Sequence, residues 1–296
     1  MRSVTTALHG TGVALVTPFK PNNEVDFEAL SKLIDYVISH GVNYVVSLGT
    51  TGETPTLTTA EKQAIAAFTV TQVNNRVPVV LGVGGNNTQQ LIEDLQHFDL
   101  NGITAILSAA PYYNKPSQEG LYAHYKAFAE ASNKPILLYN VPGRTGRNMT
   151  AETTIRLAND VPNIVGIKEA SGDMAQCMEI IKNVPSDFLV VSGDDNLAMA
   201  QIACGMQGVI SVAANCFPKQ FSSLIAHALN YQFKEAQALQ YQLLPAYDML
   251  FAENNPAGVK AFLYELGIIS NIVRLPVTPV SNGLQSKIKA MVATLR

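Results

Sequence analysis

The stretch IVGIKEASG (164–172) carries a run of apolar and β-branched residues into Lys168 and Glu169. An amine ending a buried strand is costly as packing and useful as chemistry. Burial disfavours the charged form of lysine, and the neutral amine can attack a ketone to form an imine, an electron sink of the kind a metal would otherwise provide. The alternative is a lysine whose head group snorkels to solvent or pairs with Glu169. Other lysines, such as Lys32, Lys62, Lys126 and Lys234, fall in helical segments, loops or tails.

Three further stretches hold groups that could serve such a lysine. GTTGETPTL (49–57) reads as a glycine-flanked turn leading into a helix. Its backbone N–H groups and the hydroxyls of Thr50 and Thr51 suit an anion such as a carboxylate, although ordinary turns use the same residues. It lacks the G-K-[ST] ending of a phosphate-binding P-loop. YNVPGRTG (139–146) sets Arg144 a few residues beyond Tyr139. A guanidinium there can fork onto a carboxylate or remain a solvated loop arginine. PYYNKPSQEG (111–120) supplies Tyr112 and Tyr113, suited either to packing at a subunit contact or to relaying protons.

The elements that must position these groups alternate along the chain. Apolar runs at GVALVTPF (12–19), VNYVVSLG, PVVLGVG, TAILSAA, ILLYNV, IVGIK, FLVVSG and GVISVAA read as strands. Segments of helical period lie between them. In DFEALSKLIDYVISHG (26–41), Phe27, Leu30, Leu33, Ile34, Val37 and Ile38 recur on one face, with Asp26 as N-cap and Gly41 as stop, and Thr58 and Glu61 have capping-box spacing. About eight βα units in one series predict a closed (β/α)8 TIM barrel. A doubly wound sheet is the alternative, but GVGGNN has Asn87 where the third glycine of its dinucleotide fingerprint would stand.

In a barrel the catalytic mouth lies at the C-terminal strand ends, and side chains alternate inward and outward. Ile164, Gly166 and Lys168 would share the inner face of the sixth strand, and Leu137 and Tyr139 that of the fifth. From about Tyr231 the pattern turns helical, so residues 1–230 are read as the catalytic barrel and 231–296 as a C-terminal helical appendage.

The 296 residues, 47% of them hydrophobic, can supply a substantial core. With a net charge of -3 and no basic run, no nucleic-acid partner is expected. No apolar run approaches a membrane span and the N-terminus lacks an apolar signal core, so no membrane association and a cytoplasmic location are expected. Cys177, Cys204 and Cys216 have no C-x-x-C spacing, and the five histidines have no ligand spacing. Neither a disulfide framework nor a tightly bound metal is expected.

The motifs GTTGE, PYYNKPSQEG, YNVPGRTG, GIKEASG, SGDD (192–195), GVISVAAN (208–215) and NPAGVK (255–260) occur in order along nearly the whole chain. Together they resemble the dihydrodipicolinate synthase family, within the pyruvate-dependent class I aldolase (N-acetylneuraminate lyase) superfamily. The resemblance implies a cofactor-independent condensation of pyruvate with aspartate 4-semialdehyde, a branch-point reaction of diaminopimelate and lysine synthesis. It assigns Lys168 to the pyruvate imine and Thr51 to the pyruvate carboxylate. Tyr139, Thr50 and Tyr113 would relay protons, Arg144 would bind the semialdehyde carboxylate, and the Ile210 backbone would line the site. It also implies a homodimer or dimer of dimers in which Tyr113 crosses from a neighbouring subunit.

Two other readings are a sialic-acid or keto-sugar lyase, against which Arg144 counts because a polyhydroxylated chain offers it no carboxylate, and a binding protein without catalysis. The lysine-inhibited members of the family use a histidine and a glutamate to hold the effector. Here those positions are Lys62 and Gln90, while Asn86 and Tyr112 are retained. Weak or absent inhibition by L-lysine is therefore expected.

Overall fold

Eight short parallel strands, almost wholly buried, pair in chain order and close on themselves; parallel strands need cover on both faces, which closure and an outer layer of helices supply. The computed structural model describes residues 2–295. The strands are β1 (Gly10–Ala14), β2 (Tyr44–Ser47), β3 (Val79–Gly82), β4 (Ala105–Ala109), β5 (Ile136–Asn140), β6 (Ile164–Glu169), β7 (Leu189–Ser192) and β8 (Gly208–Ser211). β1 pairs with both β2 and β8, which completes the barrel.

A short helix α1 (Arg2–Ala7) precedes β1. Between and after the strands come α2 (Phe27–Ser39), α3 (Thr59–Val73), α4 (Thr88–Gln96), α5 (Gln118–Glu130), the single turn α6 (Pro142–Thr145), α7 (Ala151–Asp160), α8 (Met174–Asn183), α9 (Ala198–Ala203) and α10 (Pro218–Leu229). The chain closes with α11 (Phe233–Phe251), α12 (Ala257–Glu265) and α13 (Asn282–Leu295).

The cap residues read from sequence stand as expected. Asp26 accepts a hydrogen bond from the Ala29 N–H, and Thr58 and Glu61 form a reciprocal capping box. In α2 the expected stripe turns Leu30, Leu33, Ile34 and Val37 onto the barrel wall. Gly41, just past the helix, takes a φ of 96°, a left-handed conformation that favours glycine.

Apolar side chains divide into two layers. An outer layer, between strands and helices, holds Leu33, Phe128, Phe221 and Phe262, among others. An inner layer fills the barrel with Tyr44, Val46, Val80, Leu107, Leu137 and Val191, among others. Tyr44 is fully buried, and Gly12 opposite leaves it room: a Cβ there would fall 2.2 Å from the ring. Leu8, just after α1, is also fully buried and belongs to the inner layer.

Three sequence readings are corrected. The first strand is Gly10–Ala14, not 12–19. Residues 15–19 are buried, and the Leu15 N–H still donates to the Val46 carbonyl of β2. Beyond it the Val16 N–H donates to Asn215 Oδ1, the Thr17 hydroxyl to the Gly52 carbonyl, and Phe19 forms an isolated antiparallel bridge with Val25. Apolarity there marks burial past the end of the barrel strand. In β6 the pairing shifts between Ile136–Ile164 and Leu137–Gly166, so that Ile164 packs in the outer layer and Val165 in the inner one. Such an irregularity breaks period-two alternation, and only Gly166 and Lys168 retain the inward placement expected of them. Helices α1 and α6 were not read as elements, being too short for a 3.6-residue period to register.

Candidate active site

Tyr139 pairs with Lys168 and Asn140 with Glu169 across β5 and β6, and alternation sends the two pairs to opposite sides of the barrel wall. Inside, Lys168 Nζ lies 4.3 Å from the centre of the Tyr139 ring. The two residues are only 5% and 8% exposed, so the amine is withdrawn from solvent. On the outer side, the Asn140 amide donates to both Glu169 carboxylate oxygens at 3.1 and 3.0 Å. The Ser171 N–H at 2.7 Å and the Gln176 amide at 3.1 Å complete the shell. Burial raises the Glu169 pKa against the pull of these donors. Glu169 is thus engaged away from Lys168, and the neighbour pairing considered from the sequence is not formed.

Gly193, at the end of β7, gives Lys168 its space. A Cβ at this position would lie 2.5 Å from the Ala170 Cβ and 2.9 Å from the Lys168 Cε. The next residue, Asp194, is pushed up to about 6 by burial; the charge of Lys168 pulls it down and that of Asp195 pushes it up. Burial also raises Asp195, although Ser211 and the Ala213 and Val212 N–H groups donate to it.

These residues face a cavity of about 420 Å³ whose walls include Thr50, Thr51, Tyr139, Arg144, Lys168 and Asn255. Five of the seven site residues expected from sequence therefore share one space. Thr50 and Thr51 come from a one-turn 3-10 helix (Thr50–Gly52) directly after β2. Thr51 is buried and its hydroxyl accepts from the Asn255 amide at 3.1 Å. Arg144 projects from α6, exposed, with its Nη2 3.5 Å from the Asn255 carbonyl and no ion pair to a carboxylate among the described residues. A guanidinium in that state is available to an anionic ligand.

Tyr113 and Ile210 are not in the cavity wall. Tyr113 is 88% exposed and holds a φ of 70°, while Ile210 is fully buried in the inner layer. Val212, two residues beyond Ile210, lines the cavity instead.

Asp194, Asp195 and Asn255 had no assigned role in the sequence reading. A pair of acids closing an apolar strand was the available signal for the first two, by the logic that singled out Lys168. Asn255 had no comparable signal, because it lies far along the chain and reaches the cavity only through the packing of the C-terminal helices. Among the described residues, no group of three or more His, Cys, Asp or Glu side chains is placed to hold a metal ion, and no helix is long and apolar enough to cross a membrane.

A closed (β/α)8 barrel with a buried lysine at its C-terminal mouth, beside a tyrosine and a threonine-bearing turn, has the groups that amine-carbonyl chemistry needs. The model of the dihydrodipicolinate synthetase family matches residues 7–295, and the chain belongs to that family. It is 49% identical to the 4-hydroxy-tetrahydrodipicolinate synthase of Phocaeicola vulgatus, with 99% of each chain covered. It is 50% identical to that of Parabacteroides distasonis, with 97% of each covered. Among solved structures, the dihydrodipicolinate synthase of Aquifex aeolicus superposes with a TM-score of 0.94 at 38% identity, over 97% of this chain and 98% of that one.

Proposed function

We propose that this enzyme condenses pyruvate with L-aspartate 4-semialdehyde to give 4-hydroxy-tetrahydrodipicolinate, through an imine on Lys168. The observation that carries the reading is the withdrawn Lys168 amine sharing one cavity with Thr51 and with Arg144, which has no ion pair among the described residues. Each substrate brings one carboxylate, and the cavity offers two separate places for them, the Thr50–Gly52 turn and Arg144.

The chemistry follows from these placements. The Lys168 amine attacks the ketone carbon of pyruvate while the Thr51 hydroxyl and neighbouring N–H groups hold the carboxylate. Loss of water gives the imine, and loss of a methyl proton turns it into an enamine. The enamine carbon attacks the aldehyde, whose oxygen takes up a proton. The amino group of the semialdehyde portion then adds to the imine carbon, closes a six-membered ring and releases Lys168. Tyr139 and Thr50 carry the protons, completed by Tyr113 of a second subunit. Relatives that share most of the chain carry the name of this reaction. In the same reading residues 1–230 form the catalytic barrel, residues 231–296 form a helical appendage, and the enzyme works in the cytoplasm.

A panel of aldehyde acceptors with pyruvate tests substrate choice. Aspartate 4-semialdehyde should be consumed fastest, and preference for a polyhydroxylated aldehyde or for cleavage of a keto-sugar would overturn the proposal.

The exposed Tyr113, held in a left-handed conformation, supports a dimer in which each subunit completes its partner's site. Mixing inactive Tyr113→Phe and Lys168→Ala proteins under subunit exchange should restore roughly a quarter of wild-type activity. Half of the dimers would then be hybrids, each with one complete site. Confirmed exchange without recovered activity would disprove the shared site.

Weak response to L-lysine belongs to the same reading. Gln90 offers a neutral amide, already donating to Asp94 at 3.0 Å, and Lys62 adds a like charge beside the cavity. The carboxylates that could substitute are engaged: Glu53 with Lys260, Glu61 with Arg274, Glu93 with Gln89. A lysine titration at subsaturating pyruvate should show inhibition at least about tenfold weaker than in a Lys62→His/Gln90→Glu double variant, the loss of one charge-assisted contact. Equal sensitivity of the two proteins would count against it.

A further inference from the structure

Glu53 follows the Thr50–Gly52 turn directly and is a left-handed residue with a Cβ, at φ 56° and ψ 33°. Residues other than glycine adopt this conformation only where their surroundings hold them in it. Its main chain joins two one-turn 3-10 helices, Thr50–Gly52 and Thr54–Thr56, so its dihedral angles set the angle between them. Its side chain leaves the turn and enters the protein, only 3% exposed.

There it meets groups contributed by the C-terminal segment. Lys260 in α12, fully buried, places Nζ 2.5 Å from Glu53 Oε1. The Arg274 N–H donates to Glu53 Oε2 at 2.9 Å. Lys260 is itself oriented by donation to the Ile272 carbonyl at 2.8 Å and by the Phe19 ring, 4.1 Å from Nζ. Burial pushes the Lys260 amine down to about 8, against the attraction of Glu53.

A fully withdrawn lysine and a carboxylate that both lie outside the cavity wall are expensive to bury, so stability alone is a weak reason for the pair. We infer that Glu53 and Lys260 are positioning residues: their ion pair locks the left-handed turn and so presents Thr50, Thr51 and the neighbouring N–H groups to the pyruvate carboxylate. Neither residue touches substrate. The inference rests on the reading of Thr51 as the carboxylate site.

The test is steady-state kinetics at pH 7 on Glu53→Gln, which keeps the size and one acceptor, and on the neutral double variant Glu53→Gln/Lys260→Met. Both are checked for folding by circular dichroism and thermal unfolding. KM for pyruvate should rise about tenfold or more in each, with kcat reduced less than about threefold and KM for the semialdehyde unchanged. Saturating pyruvate with borohydride should still label Lys168 fully. A folded variant whose pyruvate KM stays within about twofold of wild type, or whose two KM values rise together, would overturn the inference. If the double variant does not fold, Glu53→Gln alone decides. Absence of labelling in the wild type would instead refute the imine itself.

Discussion

Lys168→Ala will remove imine formation and lower turnover by at least roughly a thousandfold, because Lys62, the other lysine lining the cavity among the described residues, is half-buried on α3 and not withdrawn beside Tyr139 as Lys168 is. The measurement is mass spectrometry after borohydride reduction in the presence of pyruvate. Wild-type chain should gain one reduced pyruvate adduct, located at Lys168, and the variant none. Lys115 and Lys260 could also compete, and the structure separates both from the cavity wall. Lys260 is bound to Glu53 and Ile272 outside the cavity wall, and Lys115 lies in the tyrosine-bearing loop after β4, with its Cε beside Gly146. An adduct that survives in Lys168→Ala, or one mapped to Lys115 or Lys260, would place the nucleophile elsewhere. The variant should keep its fold, since alanine only shortens a side chain that faces the cavity and leaves the Glu169 shell of Asn140, Ser171 and Gln176 in place.

Arg144→Ala should separate the two half-reactions. Among the described residues the guanidinium has no carboxylate partner, so its removal leaves no buried charge behind and the fold should not notice. A charge-assisted contact to a substrate carboxylate contributes roughly 1.5–3 kcal/mol. kcat/KM for aspartate 4-semialdehyde should therefore fall roughly 10- to 150-fold. Imine formation with pyruvate should be unaffected, as read by borohydride labelling against pyruvate concentration. Equal losses in both measurements would move Arg144 into the pyruvate site or into the scaffold. Arg144→Lys should recover only part of the loss, because an ammonium group lacks the two parallel donors of the fork.

Much of the barrel was legible before any coordinates. The stripe of α2, the caps at Asp26 and Thr58, and the alternation of apolar runs with helical segments depend on neighbours within a few residues, and local chemistry settles them. The same holds for Lys168 and Tyr139: period two placed them on one face, and the barrel rule placed that face at the mouth. Where reading failed, the determining contact was distant in sequence. The 15–19 stretch looks like strand because it is buried, but past Leu15 its partners are Asn215, Gly52 and a lone bridge to Val25. The register shift in β6 depends on how β5 lies against it, which no pattern within β6 records.

The chain's own order of residues determined the fold class and singled out Lys168, Thr51 and Arg144 as the proposed nucleophile and anion-binding groups, because each choice rests on residue type and short-range period. Tertiary structure decided which of them share a space. It joined Asn255 to Thr51 across 204 positions and Lys260 to the turn that precedes α3, and it left Tyr113 exposed, outside the cavity wall. Those contacts follow from how the C-terminal helices pack on the barrel, and packing between segments so far apart leaves no periodic trace in either one.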